Sequence, residues 1–190
     1  MKNFLEKLKL WWEFEGKYLH RDFIEGIKNL IKWFPIIWKD RNWDHSYIYE
    51  ILKFKLKNQA EYIGVNDRHT RAKEDSETIL KCVDLIDKVQ SEFYSSEYMN
   101  YHKSNFEFID IEGNKEGMKK LKITEISENF DEYFKKYPDI YDYVLSNKEA
   151  QIFPINEKKN IAINIAEENH KRARKELFQI IEDNIEKWWD

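Results

Sequence analysis

Residues 157–189 read EKKNIAINIAEENHKRARKELFQIIEDNIEKWW. No Gly or Pro interrupts them, and Ile163, Ala166, Ala173, Leu177, Ile181 and Trp188 recur at helical spacing, about 100° per residue. That spacing predicts one long helix with an apolar face. His170 falls on the axis of this face, and Arg174 lies one turn on, slightly off-axis. Two further segments repeat the pattern. A helix predicted over 45–63, with Asp44 as N-cap and Gly64 as its stop, aligns Ile48, Leu52, Leu56 and Ile63. Gln59 sits in the middle of that face and Lys55 on its edge. A helix predicted from Asn66 or Asp67 to Tyr98 aligns Ala72, Ile79, Val83 and Ile86. Ser76 and Gln90 lie near its centre, with Asp87 and His69 inside its edge.

The rest of the chain is built around these three helices. Residues 3–18 and 21–34 read as helices, the second carrying Phe23, Ile27, Leu30 and Ile31 and followed by a break or kink at Pro35. WKDRNW (38–43) is a charged aromatic connector whose Trp38 and Trp43 are expected to pack on neighbouring helices. FEFIDI (106–111) and KKLKITEI (119–126), with Gly113 and Gly117 between them, predict a β-hairpin. Short helices are expected near 128–136 and 138–146. The expected fold is a mostly α single helical domain over 1–190 with one small β-hairpin at about 105–127. Leu52, Leu56, Ile79, Val83, Ile86, Leu177 and Ile181 should form its core.

Composition narrows the function. A chain of 190 residues, 42% hydrophobic and 36% charged, affords one core and a well-solvated surface. A net charge of -4 argues against a dedicated nucleic-acid binder. One cysteine excludes a disulfide framework and a cysteine-rich zinc site. Five Gly and three Pro disfavour β-sandwiches and Gly-rich phosphate loops. The aromatic excess, 16% of residues, is expected to sit mainly in the core. The most apolar window, WFPIIW (33–38), is far too short to span a bilayer. Glu6, Glu13 and Glu15 interrupt the cationic face of the N-terminal helix, so no membrane partner is expected. No signal peptide is read at the start, and a reduced cytoplasm is the expected compartment.

Catalytic motifs fail on inspection. His20-Arg21-Asp22 spells the opening of a kinase catalytic loop, but Ile27 stands where the metal-binding Asn belongs. The five histidines show no HxH, HxxxH or HExxH spacing. Asp40, Asp44 and His45 could be metal ligands, yet a helix cap explains Asp44 better. Cys82 lies among Leu80, Val83 and Leu85 as a small buried hydrophobe. No catalytic residue, metal ligand or cofactor is expected.

The informative feature is the set of polar residues on apolar faces. A buried unpaired polar group costs ~1–3 kcal/mol, and a charge more. Such groups must meet one another or a ligand. One solution is a satisfied network, Asp87 with Arg174 or Lys55. The other is a polar-floored pocket between helices, with room left by Ala166 and Ala173 and walls of aromatic rings. Lys, Arg and His beside aromatics suit an anionic, ring-bearing nucleotide. The candidate ligand-binding residues are Lys55, Gln59, His69, Arg71, Asp87, His170 and Arg174.

WFPIIWKDRNWDHSYIYEILKFKLKNQAEYI (33–63), with His69-Thr70-Arg71-Ala72-Lys73, Lys81-Cys82, His170-x-x-Ala173-x-x-x-Leu177 and Trp188-Trp189-Asp190, resembles a family of tailed-bacteriophage and viral-metagenome proteins. The resemblance covers nearly the whole chain. It implies expression in the cytoplasm of an infected bacterial host and brings no activity or catalytic residue with it. The favoured expectation is a phage-encoded, non-enzymatic binding protein that sequesters a nucleotide-type host-defence signal between helices. The alternatives are an interaction or assembly factor acting on a host or phage protein, and a nucleotide-processing enzyme. A second copy of the chain is also admitted as a partner.

Overall fold

A computed structural model describes residues 2–14, 16–66, 70–110 and 119–189. His69, Asp67, Gly113 and Gly117 lie outside the described residues. About three quarters of the chain is helical, with one two-stranded antiparallel hairpin. The helices are α1 (Lys2–Phe14), α2 (Leu19–Ile37), α3 (Ser46–Asn66), α4 (Ala72–Gln90), α5 (Phe93–Ser96), α6 (Phe130–Lys136), α7 (Pro138–Ser146) and α8 (Lys158–Asn184). The strands are β1 (His102–Asp110) and β2 (Lys119–Glu128). The chain divides into two compact units, Met1–Leu52 and Lys53–Asp190.

The first unit holds α1, α2, the aromatic connector and the start of α3. A 3-10 turn, Gly16–Tyr18, joins the first two helices. Gly16 is required there: a Cβ would stand 2.5 Å from Cε3 of the Trp12 ring. In α2, Leu19, Phe23, Ile27, Leu30, Phe34 and Ile37 fall on one side at helical spacing, and all are exposed. Arg21, Glu25, Lys28 and Lys32 occupy the other side. Pro35 does not break α2, which runs on to Ile37. It sits in the last turn, where the missing N–H removes a single bond next to a hydrated helix end. Asp44 caps α3, its Oδ1 accepting from the Ser46 N–H at 2.9 Å. The connector does not pack as expected. Trp43 is 82% exposed and Trp38 70%, with the Trp38 ring near Phe34, 5.1 Å between centroids.

The second unit contains the core. Leu56, Ala60 and Ile63 of α3 and Ile79, Cys82, Val83, Ile86 and Val89 of α4 are buried. α3 continues past Gly64. That glycine serves a close approach instead, because a Cβ would lie 3.0 Å from Ser76 Oγ. Ser76, the polar residue expected on the inward face of α4, donates to the Ala60 carbonyl at 2.9 Å. The helix expected to reach Tyr98 stops at Gln90. Glu92 adopts a left-handed conformation, φ 53°, and turns the chain into α5 and a 3-10 segment, Glu97–Tyr101. No Gly or Pro marks that break.

A second cluster joins Phe130, Tyr133 and Phe134 of α6 to Val144, Ala150, Ala162 and Ile165. Tyr101 stacks near Tyr133 at 5.1 Å, and Phe134 on Tyr141 at 4.9 Å. The aromatic excess is not mainly core, however: Phe130, Tyr133, Phe134 and Trp188 are buried, while rings such as Trp12, Phe23, Phe34, Trp38, Trp43 and Phe108 are exposed. α8 packs against α4, α5, α6 and α7. Its buried residues include Ala162, Ile165, Ala166, Asn169, Ala173 and Leu177. This face is rotated about 70° from the one read in the sequence, at 100° per residue. Asn169 takes the axis expected for His170, while Ile163 and Ile181 fall to the half-buried edge. α8 ends at Asn184, short of the expected Trp189, and Trp188 is buried in a final 3-10 turn.

Candidate functional site

The expected polar centre is only partly assembled. Asp87 and Gln90 of α4 are joined, but through Lys53 rather than Lys55. Lys53 Nζ lies 3.1 Å from Asp87 Oδ1 and donates to Gln90 Oε1 at 3.0 Å. Lys55, two residues on and so about 200° around the helix, is exposed. Arg174 is exposed too, which corrects the inward orientation expected for it. It lines a surface pocket of about 150 Å³ with Glu149, Glu167, Glu168 and Lys171. That volume is well below the ~300–1,000 Å³ typical of ligand pockets. Arg71 is exposed and pairs with Glu74 at 3.2 Å and Asp75 at 3.9 Å. Gln59 and His170 are half-buried, and among the described residues neither Gln59 Nε2 nor His170 Nδ1 has a hydrogen-bond partner.

Asp75, Glu97 and Glu168 are the buried carboxylates among the described residues of this unit. Glu97, 7% exposed, accepts hydrogen bonds from Lys136 Nζ and, at 2.6 Å, from Tyr137 Oη. The Glu97 bond holds the Lys136 ammonium above its usual range. Burial, then the Glu97 carboxylate, pushes the Tyr133 and Tyr137 phenols far above 10.0. This cluster escapes sequence reading, because no Gly or Pro marks the turn at Glu92 that precedes Glu97. Asn164 is the second missed residue. It is fully buried, accepts from the Ile152 and Phe153 N–H groups, and donates to the Phe153 carbonyl. A lone Asn inside IAINIA was a signal that could have found it.

These phenols make alkaline stability testable. Above pH 10 the unfolded tyrosines ionise while the folded ones keep their protons, so stability is lost as pH rises. The raised Lys136 acts in the same sense. Among the described residues Tyr133 Oη forms no well-aligned hydrogen bond, only a weak interaction with the Asn169 side chain. Tyr133→Phe should therefore leave stability near pH 7 almost unchanged and flatten its fall above pH 10. Urea melts across pH 7–11 read this directly, and an unchanged alkaline slope would place the titration elsewhere.

Cys82 is fully buried, and burial pushes its thiol up to about 11. Among the described residues no three His, Cys, Asp or Glu side chains gather as metal ligands. Asp40, Asp44 and His45 accordingly form no such centre. No described helix is long and apolar enough to cross a membrane. A pocket lies in the connector. It measures about 350 Å³ and is lined by residues 40–45, Tyr47, Ile48 and Ile51.

No family model, curated protein or solved structure matches the chain.

Proposed function

We propose that this chain is a phage-encoded, non-enzymatic binding protein that docks a host or phage protein in the cytoplasm of an infected bacterium. The bare apolar face of α2, from Leu19 to Ile37, carries the reading. Contiguous exposed apolar surface of this extent is a usual mark of an interaction site. The resemblance of residues 33–63 to phage proteins supports the origin. Sequestration of a nucleotide keeps one supporting observation, the buried and unpartnered Gln59 Nε2 and His170 Nδ1.

Two measurements separate these readings. Photo-crosslinkers at Ile27 and Leu30 in infected cells should trap one discrete protein. Ile27→Glu with Leu30→Glu should abolish that product without lowering the melting temperature. Thermal melting with nucleotides and cyclic nucleotides, with and without Mg²⁺, should show no shift. A saturable rise would overturn docking in favour of sequestration, and turnover would make the protein an enzyme.

A further inference from the structure

The connector pocket lies wholly within residues 40–51, in the first unit. Its apolar walls are Trp43, Tyr47, Ile48 and Ile51. Trp43 leaves most of its indole in solvent. An exposed Trp beside Tyr and Arg is the residue combination that dominates binding hot spots. The pocket also holds two half-buried carboxylates, Asp40 and Asp44. Asp44 is held ionised by the Ser46 hydrogen bonds, and one of its oxygens is committed to the α3 cap. Asp40 is the freer group. Among the described residues, no Lys or Arg forms an ion pair with either carboxylate. Arg41, the basic residue between them, instead donates to the Asp40 backbone carbonyl at 2.8 Å. The lining sets two carboxylates, Asp40 and Asp44, against the one guanidinium of Arg41.

We infer that this pocket receives a basic side chain, a guanidinium or an ammonium, from the docked protein. The inference rests on the docking reading and names the chemistry of the contact. Carboxylates supply charge-assisted hydrogen bonds to the cationic head. The faces of Trp43 and Tyr47 supply cation–π attraction, and Ile48 and Ile51 cover the aliphatic stem. An anion would meet Asp40 and Asp44 across the same space. The α3 N-terminus, which would otherwise favour an anion, is already occupied by the Asp44 carboxylate.

The test uses the intact chain and small probes. Indole ¹⁵N–¹H NMR follows Trp43, assigned through Trp43→Phe. N-acetyl-arginine methyl ester and N-acetyl-lysine methyl ester should both shift the Trp43 resonance in a saturable, salt-sensitive way. N-acetyl-citrulline methyl ester, neutral and nearly the same shape as the arginine probe, should bind roughly tenfold more weakly. Asp40→Asn should weaken the arginine probe to the citrulline level. Asp44→Asn, which keeps a capping side chain, should weaken it without lowering the melting temperature. Equal binding of citrulline and arginine would overturn the charge argument. A shift with inorganic phosphate but not arginine would make the pocket an anion site and overturn the proposal. No shift with any probe would overturn it as well, and would leave the α2 crosslinking result standing as the separate test of docking.

Discussion

Asn164→Ala should destabilise the protein by ~3–5 kcal/mol, the largest expected effect of any single polar change in the chain. Its side chain anchors the Ile152 and Phe153 N–H groups, at 3.0 and 2.9 Å, and reaches the Phe153 carbonyl at 2.8 Å. Alanine removes all three bonds at once. Each polar group left unpaired costs ~1–3 kcal/mol, partly relieved here because Ile152 and Phe153 are exposed and their N–H groups can meet water. The segment it holds also closes the aromatic core, since Ala150 is buried in that cluster and Gln151 Nε2 donates to the Val144 carbonyl. Urea unfolding at neutral pH measures the loss, and limited proteolysis should find residues 151–157 newly susceptible. A loss below ~1 kcal/mol would mean that the loop is held by other contacts. Asn164→Asp is the informative companion. It keeps the acceptor and brings a buried carboxylate toward the Phe153 carbonyl. Burial would raise its folded pKa, so the variant should recover stability as pH falls.

The elements of the fold were legible because they obey local rules. Helical spacing located α3, α4 and α8, Asp44 announced the α3 cap, and alternation in residues 106–126 announced the hairpin. What escaped was set by tertiary contacts. Glu92 takes a left-handed turn with no glycine to flag it, and the chain that follows buries Glu97 among Lys136 and Tyr137. Gly64 looked like a stop and proved to be a point of close helix approach to Ser76. The candidate site suffered from the same cause. Assigning Lys55 rather than Lys53 to the inward face misplaces the network, because neighbouring i and i+2 positions lie on nearly opposite sides of a helix. The exposure of Trp43 was invisible for a different reason: composition says how many rings a core could hold, and not which of them the chain leaves outside.

Leu177→Ala should cost ~2–5 kcal/mol, and its value lies in comparison with two neighbours. Leu177 is fully buried on α8, which packs on α4 and its buried Ile79, Val83 and Ile86. The sequence alone would place Leu177, Ile181 and His170 together on one buried face, with Arg174 at its border. The structure moves the axis toward Asn169 and Ala173, because the N-terminal half of α8 is enclosed on a broad arc that also takes in Ile165 and Asn164. A face averaged over the whole helix gives its half-buried C-terminal part, Ile181 included, too much weight. Ile181→Ala, at that edge, should therefore cost distinctly less than Leu177→Ala. Arg174→Ala should change stability by under ~0.5 kcal/mol, because an exposed side chain strands no buried partner when it is removed. Denaturant midpoints of the three variants give the order. Equal large losses at Leu177, Ile181 and Arg174 would restore the face centred on His170. A steep fall from Leu177 through Ile181 to Arg174 would fix the rotation of α8 from stability alone, since only a helix turned toward Asn169 puts these side chains in that sequence of burial.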